Sequence, residues 1–194
     1  MPLIATRGAA SVQGFGEFAQ AAAPVYIEDV FSTYLYTGNS STQTITNGID
    51  LSGKGGLVWF KNRDNTGGTN HFIHDTARDR TKYINTNLTD AESASVPSSV
   101  TSWNSNGFTL GSSGNLNQSI ATINSFVSWT FREQAKFFDV VTYTGTGANR
   151  TISHNLGSVP GCIIIKRTDA SANWQVYHRS VGNTKYLVLN DTAA

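Results

Sequence analysis

The 194 residues carry a formal net charge of +1, and only 14% of them are Asp, Glu, Lys or Arg. Basic residues scattered at that balance leave no electrostatic footprint for a phosphate backbone, which argues against a nucleic-acid partner. No apolar run approaches the ~20 residues that cross a bilayer, which argues against membrane insertion, and the abundance of Gly, Ser, Thr and Asn points to an all-β chain of short strands and tight turns.

Residues 1–24 are rich in Ala and Gly, weakly patterned and unable to bury a core, so they predict an arm that orders against a partner. Arg7, Gln13 and Glu17 interrupt any apolar h-region, and no signal peptide is expected. Ala19 to Ala23, ended by Pro24, is the only helical turn predicted. Strands then follow near 31–37, 43–46, 56–62, 70–74, 82–86, 107–110 and 120–131, with turn residues between them. Alternation in Phe126-Val127-Ser128-Trp129-Thr130-Phe131 sets Val127, Trp129 and Phe131 on one face of a half-buried strand that closes this unit. Asn106-Gly107 reads as a hairpin turn, because both residues tolerate positive φ. Five more strands are expected near 138–144, 150–153, 161–167, 173–178 and 185–189.

The second set repeats the first. Tyr36-Thr37-Gly38 is echoed by Tyr143-Thr144-Gly145 and Thr44-Ile45-Thr46 by Thr151-Ile152-Ser153, both at one offset. Gly56-Leu57-Val58-Trp59-Phe60-Lys61 matches Gly161-Cys162-Ile163-Ile164-Ile165-Lys166. Thr81-Lys82-Tyr83 with Asn87 matches Thr184-Lys185-Tyr186 with Asn190. The chain therefore divides into the arm (1–24), a complete module (25–133) and an incomplete second copy (134–194). The copy stops before any counterpart of 100–131, so Ile163 to Ile165 and Tyr186 to Leu189 should be partly exposed and the polypeptide is expected to continue beyond Ala194. The apolar runs Leu57–Phe60 and Cys162–Ile165 are expected to be central strands, with Cys162, the sole cysteine, as a core residue.

No catalytic, cofactor or metal site is expected. His71 and His74 with Asp75 have the residue types of a zinc ligand set, but on a strand the two imidazoles point to opposite faces, and the second copy has Trp174 and Tyr177 there. Serines and histidines occur without a nucleophile-elbow pattern. Asp90, Glu92 and Glu133 fall in loops that offer no apolar packing to raise a carboxyl pKa, as paired glycosidase acids would need. Arg78-Asp79-Arg80-Thr81-Lys82 reads as a solvated loop whose charges pair locally. Trp59, Trp129 and Trp174 read as core aromatics, whereas Trp103, between Ser102 and Asn104, is the aromatic expected to be exposed and to face a ligand.

Gly56 to Arg63, Asp75-Thr76-Ala77-Arg78, Thr81-Lys82-Tyr83, Ser105 to Gly111 and Phe126-Val127-Ser128-Trp129 together resemble repeated modules of bacteriophage tail-fibre and baseplate virion proteins, particularly those of cyanobacterial phages. The resemblance covers most of 31–194. It implies a jelly-roll sandwich similar to concanavalin-type lectin domains, a place in the virion tail, and an N-terminal segment attached to other tail or baseplate proteins. Met1 to Gly8 followed by Gly14-Phe15-Gly16 is similar to the start of such proteins, which makes Leu3, Ile4, Arg7, Phe15 and Phe18 the expected attachment residues. A fibre implies a homo-oligomer, a trimer by preference because closed symmetry buries repeated faces, and an adhesive module implies a host-surface glycan. The alternative is a carbohydrate-binding module of a bacterial surface or secreted protein.

Overall fold

The run Phe31-Ser-Thr-Tyr-Leu-Tyr-Thr37, dense in aromatic and β-branched residues, forms β1 (Phe31–Thr37) directly after a 3-10 turn at Ile27–Asp29. The computed structural model describes residues 24–64, 69–94, 99–112, 114–121 and 123–191. Residues of the expected N-terminal arm and its helical turn, including Leu3, Ile4, Arg7, Phe15 and Phe18, lie outside the described residues.

Next come β2 (Gln43–Thr46), β3 (Gly56–Asn62), β4 (His71–Asp75), β5 (Lys82–Asn85), β6 (Ser93–Ala94), β7 (Val100–Asn104), β8 (Gly107–Leu110), the single helical turn α1 (Gly114–Asn117) and β9 (Ser125–Arg132). They build two antiparallel sheets, one ordered β1-β9-β3-β4-β5-β6 and the other β2-β8-β7. Strands β6 and β7 and helical turn α1 were not among the predicted elements. Val100 to Asn104 has weak alternation, and pairing with β8 holds it extended despite a register shift between Val100 and Ser102. The β7–β8 hairpin turns on Ser105 and Asn106, between the paired Asn104 and Gly107. Of the expected Asn106-Gly107 pair only Gly107 has positive φ.

One core lies between the sheets. Tyr36, Val58, Phe60, Phe72 and Phe126 face Ile45, Val100, Phe108 and Leu110, while Ile49, Leu51 and Leu116 close its ends. Phe60 and Phe108 meet edge to face at 5.3 Å across the gap and are essentially inaccessible, each burial stabilising by about 2–3 kcal/mol. The resulting all-β sandwich agrees with the fold class expected from composition and periodicity.

Strand β9 turns its polar side inward. Phe126, Ser128 and Thr130 face the core, and Val127, Trp129 and Phe131 form the outer face. The register explains it: Ser128 sits opposite Phe60, where a small side chain leaves room for the ring, and Thr130 sits opposite Val58 and accepts a hydrogen bond from Asn47 Nδ2 at 2.8 Å. The outer face is apolar as well, with Trp59 and Trp129 edge to face at 5.9 Å.

His71 and His74 lie on opposite faces of β4. His74 packs edge to face on Phe60 in the core, and its Nδ1 is 3.1 Å from the Arg80 carbonyl. Burial pushes the imidazole down to about 4 from 6.5, opposed in part by the Arg80 hydrogen bond. A folded value below the unfolded one means the unfolded chain binds the extra proton between those limits. Stability is therefore complete above about pH 6.5 and falls as the pH drops towards 4. Between pH 6.5 and 5, where carboxylates are still ionised, the expected loss is about 2 kcal/mol. Denaturant midpoints across that range should show the slope for the native chain and a flattened one for His74→Phe.

The second copy forms a three-stranded sheet of β10 (Cys162–Ile165), β11 (Gln175–His178) and β12 (Leu187–Val188). Its register reproduces the first. Leu57↔Asp75 corresponds to Cys162↔His178, and Phe72↔Asn85 to Gln175↔Val188. The bonding around β4 is repeated too. Asn87 accepts from the His71 N–H and donates to Asn70, and Asn190 accepts from the Trp174 N–H and donates to Asn173. The sequence repeat is thus a structural repeat.

Three expectations for this copy are corrected. Residues 138–144 and 150–153 are not strands: the first-copy counterparts β1 and β2 pair with β9 and β8, and a strand without a partner has no ladder to hold it. Strand β10 is an edge, not a central strand, for the same reason. Cys162 is exposed rather than buried, whereas Ile163, Ile164 and Ile165, 40–50% exposed beside it, are partly open as expected from the repeat.

Candidate functional site

Trp103 is half-buried on β7, packed against the core and paired across the hairpin with Phe108. It was expected to stand clear of the core, but its inward face is held there. The remainder of the ring borders a shallow groove of about 590 Å³, whose walls include Ser52, Gly53, Thr76, Arg80 and Ser102. Local hydrogen bonds fix each wall. The Leu51 and Ser52 N–H groups bond the Asn104 carbonyl, Gly53 N–H bonds Asp50 Oδ1 at 2.8 Å, and Gly56 N–H bonds Thr76 Oγ1 at 2.8 Å. Arg80 Nη1 donates to the Val100 carbonyl at 3.1 Å, which orients the guanidinium along the groove. The exposed part of the indole beside hydroxyls and a guanidinium leaves an apolar surface with hydrogen-bonding groups around it.

A second depression, of about 610 Å³, lies on the outer face of the six-stranded sheet between Thr33, Leu35, Lys61, Asp64 and Trp129. Leu35 is 57% exposed there. Asp64 accepts the N–H groups of Asn124 and Ser125 at 2.7 and 2.8 Å, and these bonds pull its carboxyl down to about 2. Its charge therefore fixes the start of β9. The alternation Thr33-Leu35 on β1 carried the signal for this face, but an apolar residue in a strand is ordinarily assigned to the core.

Farther along the same outer face, Ile73 and Ile84 are covered by Trp174 of the second copy, with Leu57 and Trp59 beside them. Trp174 Nε1 donates to the Asn85 carbonyl at 3.0 Å. Ala172 N–H bonds the Thr89 carbonyl and Glu92 N–H bonds the Thr168 carbonyl, both at 2.8 Å. The two copies thus dock outer face to outer face. Trp174 is a core aromatic as expected, but the core it fills lies between the copies.

The Arg78–Lys82 segment is not simply a solvated loop. Arg78 is held by Asp75, with Nη2 2.6 Å from Oδ2, and by Glu92 at 2.8 Å, and the side chains of Arg78 and Asp75 are only 9% and 4% exposed. Lys82 bonds the other oxygen of Glu92 at 2.8 Å. Burial alone would raise Glu92, and the hydrogen bonds from Lys82 and Arg78 outweigh it, so the carboxyl titrates below its ordinary range. Glu133, also expected to be unperturbed, is raised, chiefly by burial and then by the charges of Asp139 and Asp75.

No curated protein and no solved structure matches the chain. A family model described as a domain of unknown function, DUF7483, matches residues 27–194, and the chain belongs to that family.

Proposed function

We propose that the chain is a structural virion protein, a tail fibre that attaches to a phage tail or baseplate through residues 1–24 and uses its β modules as connectors or as adhesive units at the host surface. The tandem itself supports this reading best. Two copies of one unit, docked through Trp174 and cross-bonded between loops, are a way to build a shaft that resists bending from a repeated part. Labelling intact particles with an antibody against residues 1–24, viewed by electron microscopy, tests it. Label at the tail is the expected result, and particles that lack the chain overturn the assignment.

The Trp103 groove favours a second reading, a carbohydrate-binding module. On that reading a glycan array retains the native chain, and Trp103→Ala lowers affinity roughly tenfold, equivalent to about 1.4 kcal/mol. A Trp103→Ala chain that melts like the native one and binds glycans equally well removes the groove from the argument.

A further inference from the structure

The second copy retains residues whose first-copy counterparts are explained only by a neighbouring segment. Tyr36 is buried, and its hydroxyl donates to the Leu116 carbonyl at 2.7 Å; its counterpart Tyr143 is 49% exposed. Gly38 is required by close approach, since a Cβ there would lie 2.1 Å from the Gln118 carbonyl oxygen. Its counterpart Gly145 has nothing within 4 Å. Val58 and Phe60 are covered by the second sheet, whereas Ile163 and Ile165, which occupy their places in the same register, are 40% and 43% exposed. Strand β3 carries β9 on its far edge, and among the described residues nothing pairs with the matching edge of β10. Each of these positions points to one thing, a segment with the pattern of residues 99–132.

From this we propose that the inner face of the second copy is a docking surface for a polypeptide segment of that pattern, with the following geometry. Its β9-like strand enters antiparallel between 138–144 and β10, as β9 lies between β1 and β3. Its β7–β8-like hairpin covers Ile163 and Ile165 and pairs with 150–153. Its helical turn receives the Tyr143 hydroxyl and packs against Gly145. Residues 99–132 of this chain are engaged in its own first module, so a second copy could supply the segment only by opening that module. Docking at this face holds or fails independently of a place in a virion.

The repeat supplies the probe. Ala194 corresponds to Ala91 by the offset that relates Asn87 to Asn190, so the chain's own residues 92–132 can be appended directly after Ala194 in the repeat's frame. Hydrogen–deuterium exchange of the full chain, with and without this extension, provides the test. Amides of 138–144, and those of β10 that point away from β11, should exchange freely in the native chain and gain protection on the order of 100-fold or more in the extended one. Gly145→Ala should leave the native chain unchanged and abolish that gain, and an extension of the same composition in scrambled order should give none. Two results overturn the proposal. One is an extended chain whose 138–144 amides and outward-pointing β10 amides exchange as fast as before. The other is a native chain already protected at those β10 amides as a dimer, which would mean that a second copy closes the edge.

Discussion

Gly38→Ala is expected to destabilise the chain by about 3 kcal/mol, while Gly145→Ala, the same substitution at the matching position of the second copy, should change stability by less than about 0.5 kcal/mol. At position 38 the added methyl would lie 2.1 Å from the Gln118 carbonyl oxygen and 2.8 Å from the Asn117 carbonyl carbon. Both are backbone atoms and cannot swing aside. Moving them would disturb Asn117, which is inaccessible and bonds the Asn39 amide N–H, the Asn39 side chain and the Ser41 and Gly111 carbonyls. The turn α1 is thus clamped against the end of β1, and the clamp also holds the Leu116 carbonyl under the Tyr36 hydroxyl. The phenol is pushed well above its ordinary range by burial, so it remains a donor throughout. Gly145 has open space around it. Thermal unfolding of the two variants checks the contrast, with a midpoint lowered by roughly 6–12 °C for Gly38→Ala alone. Equal effects would mean that the clamp does not carry the stability assigned to it.

That contrast also marks how far the sequence could be read. The repeat was legible because β3, β4 and β5 have counterparts with the same turn residues, and the matched registers follow from them. The fold class followed from short alternating runs between turns. What the pattern could not decide was which face of a two-sided strand looks inward. In β9 the more apolar side is the outer one, because Ser128 and Thr130 fit beneath large neighbours on β3 and the outer side packs its own tryptophans. Nor could alternation show which strands would lack a partner, since 138–144 carries the pattern of β1 but pairs with no strand among the described residues. The groove at Trp103 was half legible. The tryptophan was identified from its polar neighbours, but Arg80 and Thr76 come to it through tertiary packing.

Arg78→Met should cost about 3–5 kcal/mol, the usual result of removing one partner from a buried ion pair. Surface pairs rarely contribute more than about 1 kcal/mol, and the charge-dense sequence around Arg78 would suggest that class. Burial decides otherwise. Asp75 has a 4% exposed side chain, accepts a hydrogen bond from Arg78 Nε at 2.7 Å with Nη2 in ion-pair contact at 2.6 Å, and without the guanidinium would have only the Ala77 and Arg78 N–H groups to bond. Glu92 would retain Lys82 but lose the Arg78 bond that helps to hold its carboxyl down. Because the folded value of Glu92 is lowered, its contribution is present above its unfolded value of 4.5 and is lost as the pH falls through the folded value. Weakening that shift moves the loss to higher pH, so Arg78→Met should unfold at a higher pH on acid titration as well as at lower denaturant. The effect should also reach the second copy, because Glu92 N–H bonds the Thr168 carbonyl. Adding Asp75→Asn to Arg78→Met removes the stranded charge, and the double variant should recover part of the lost stability. A double variant no more stable than Arg78→Met would locate the cost in lost packing of the arginine stem instead of in the uncompensated carboxylate.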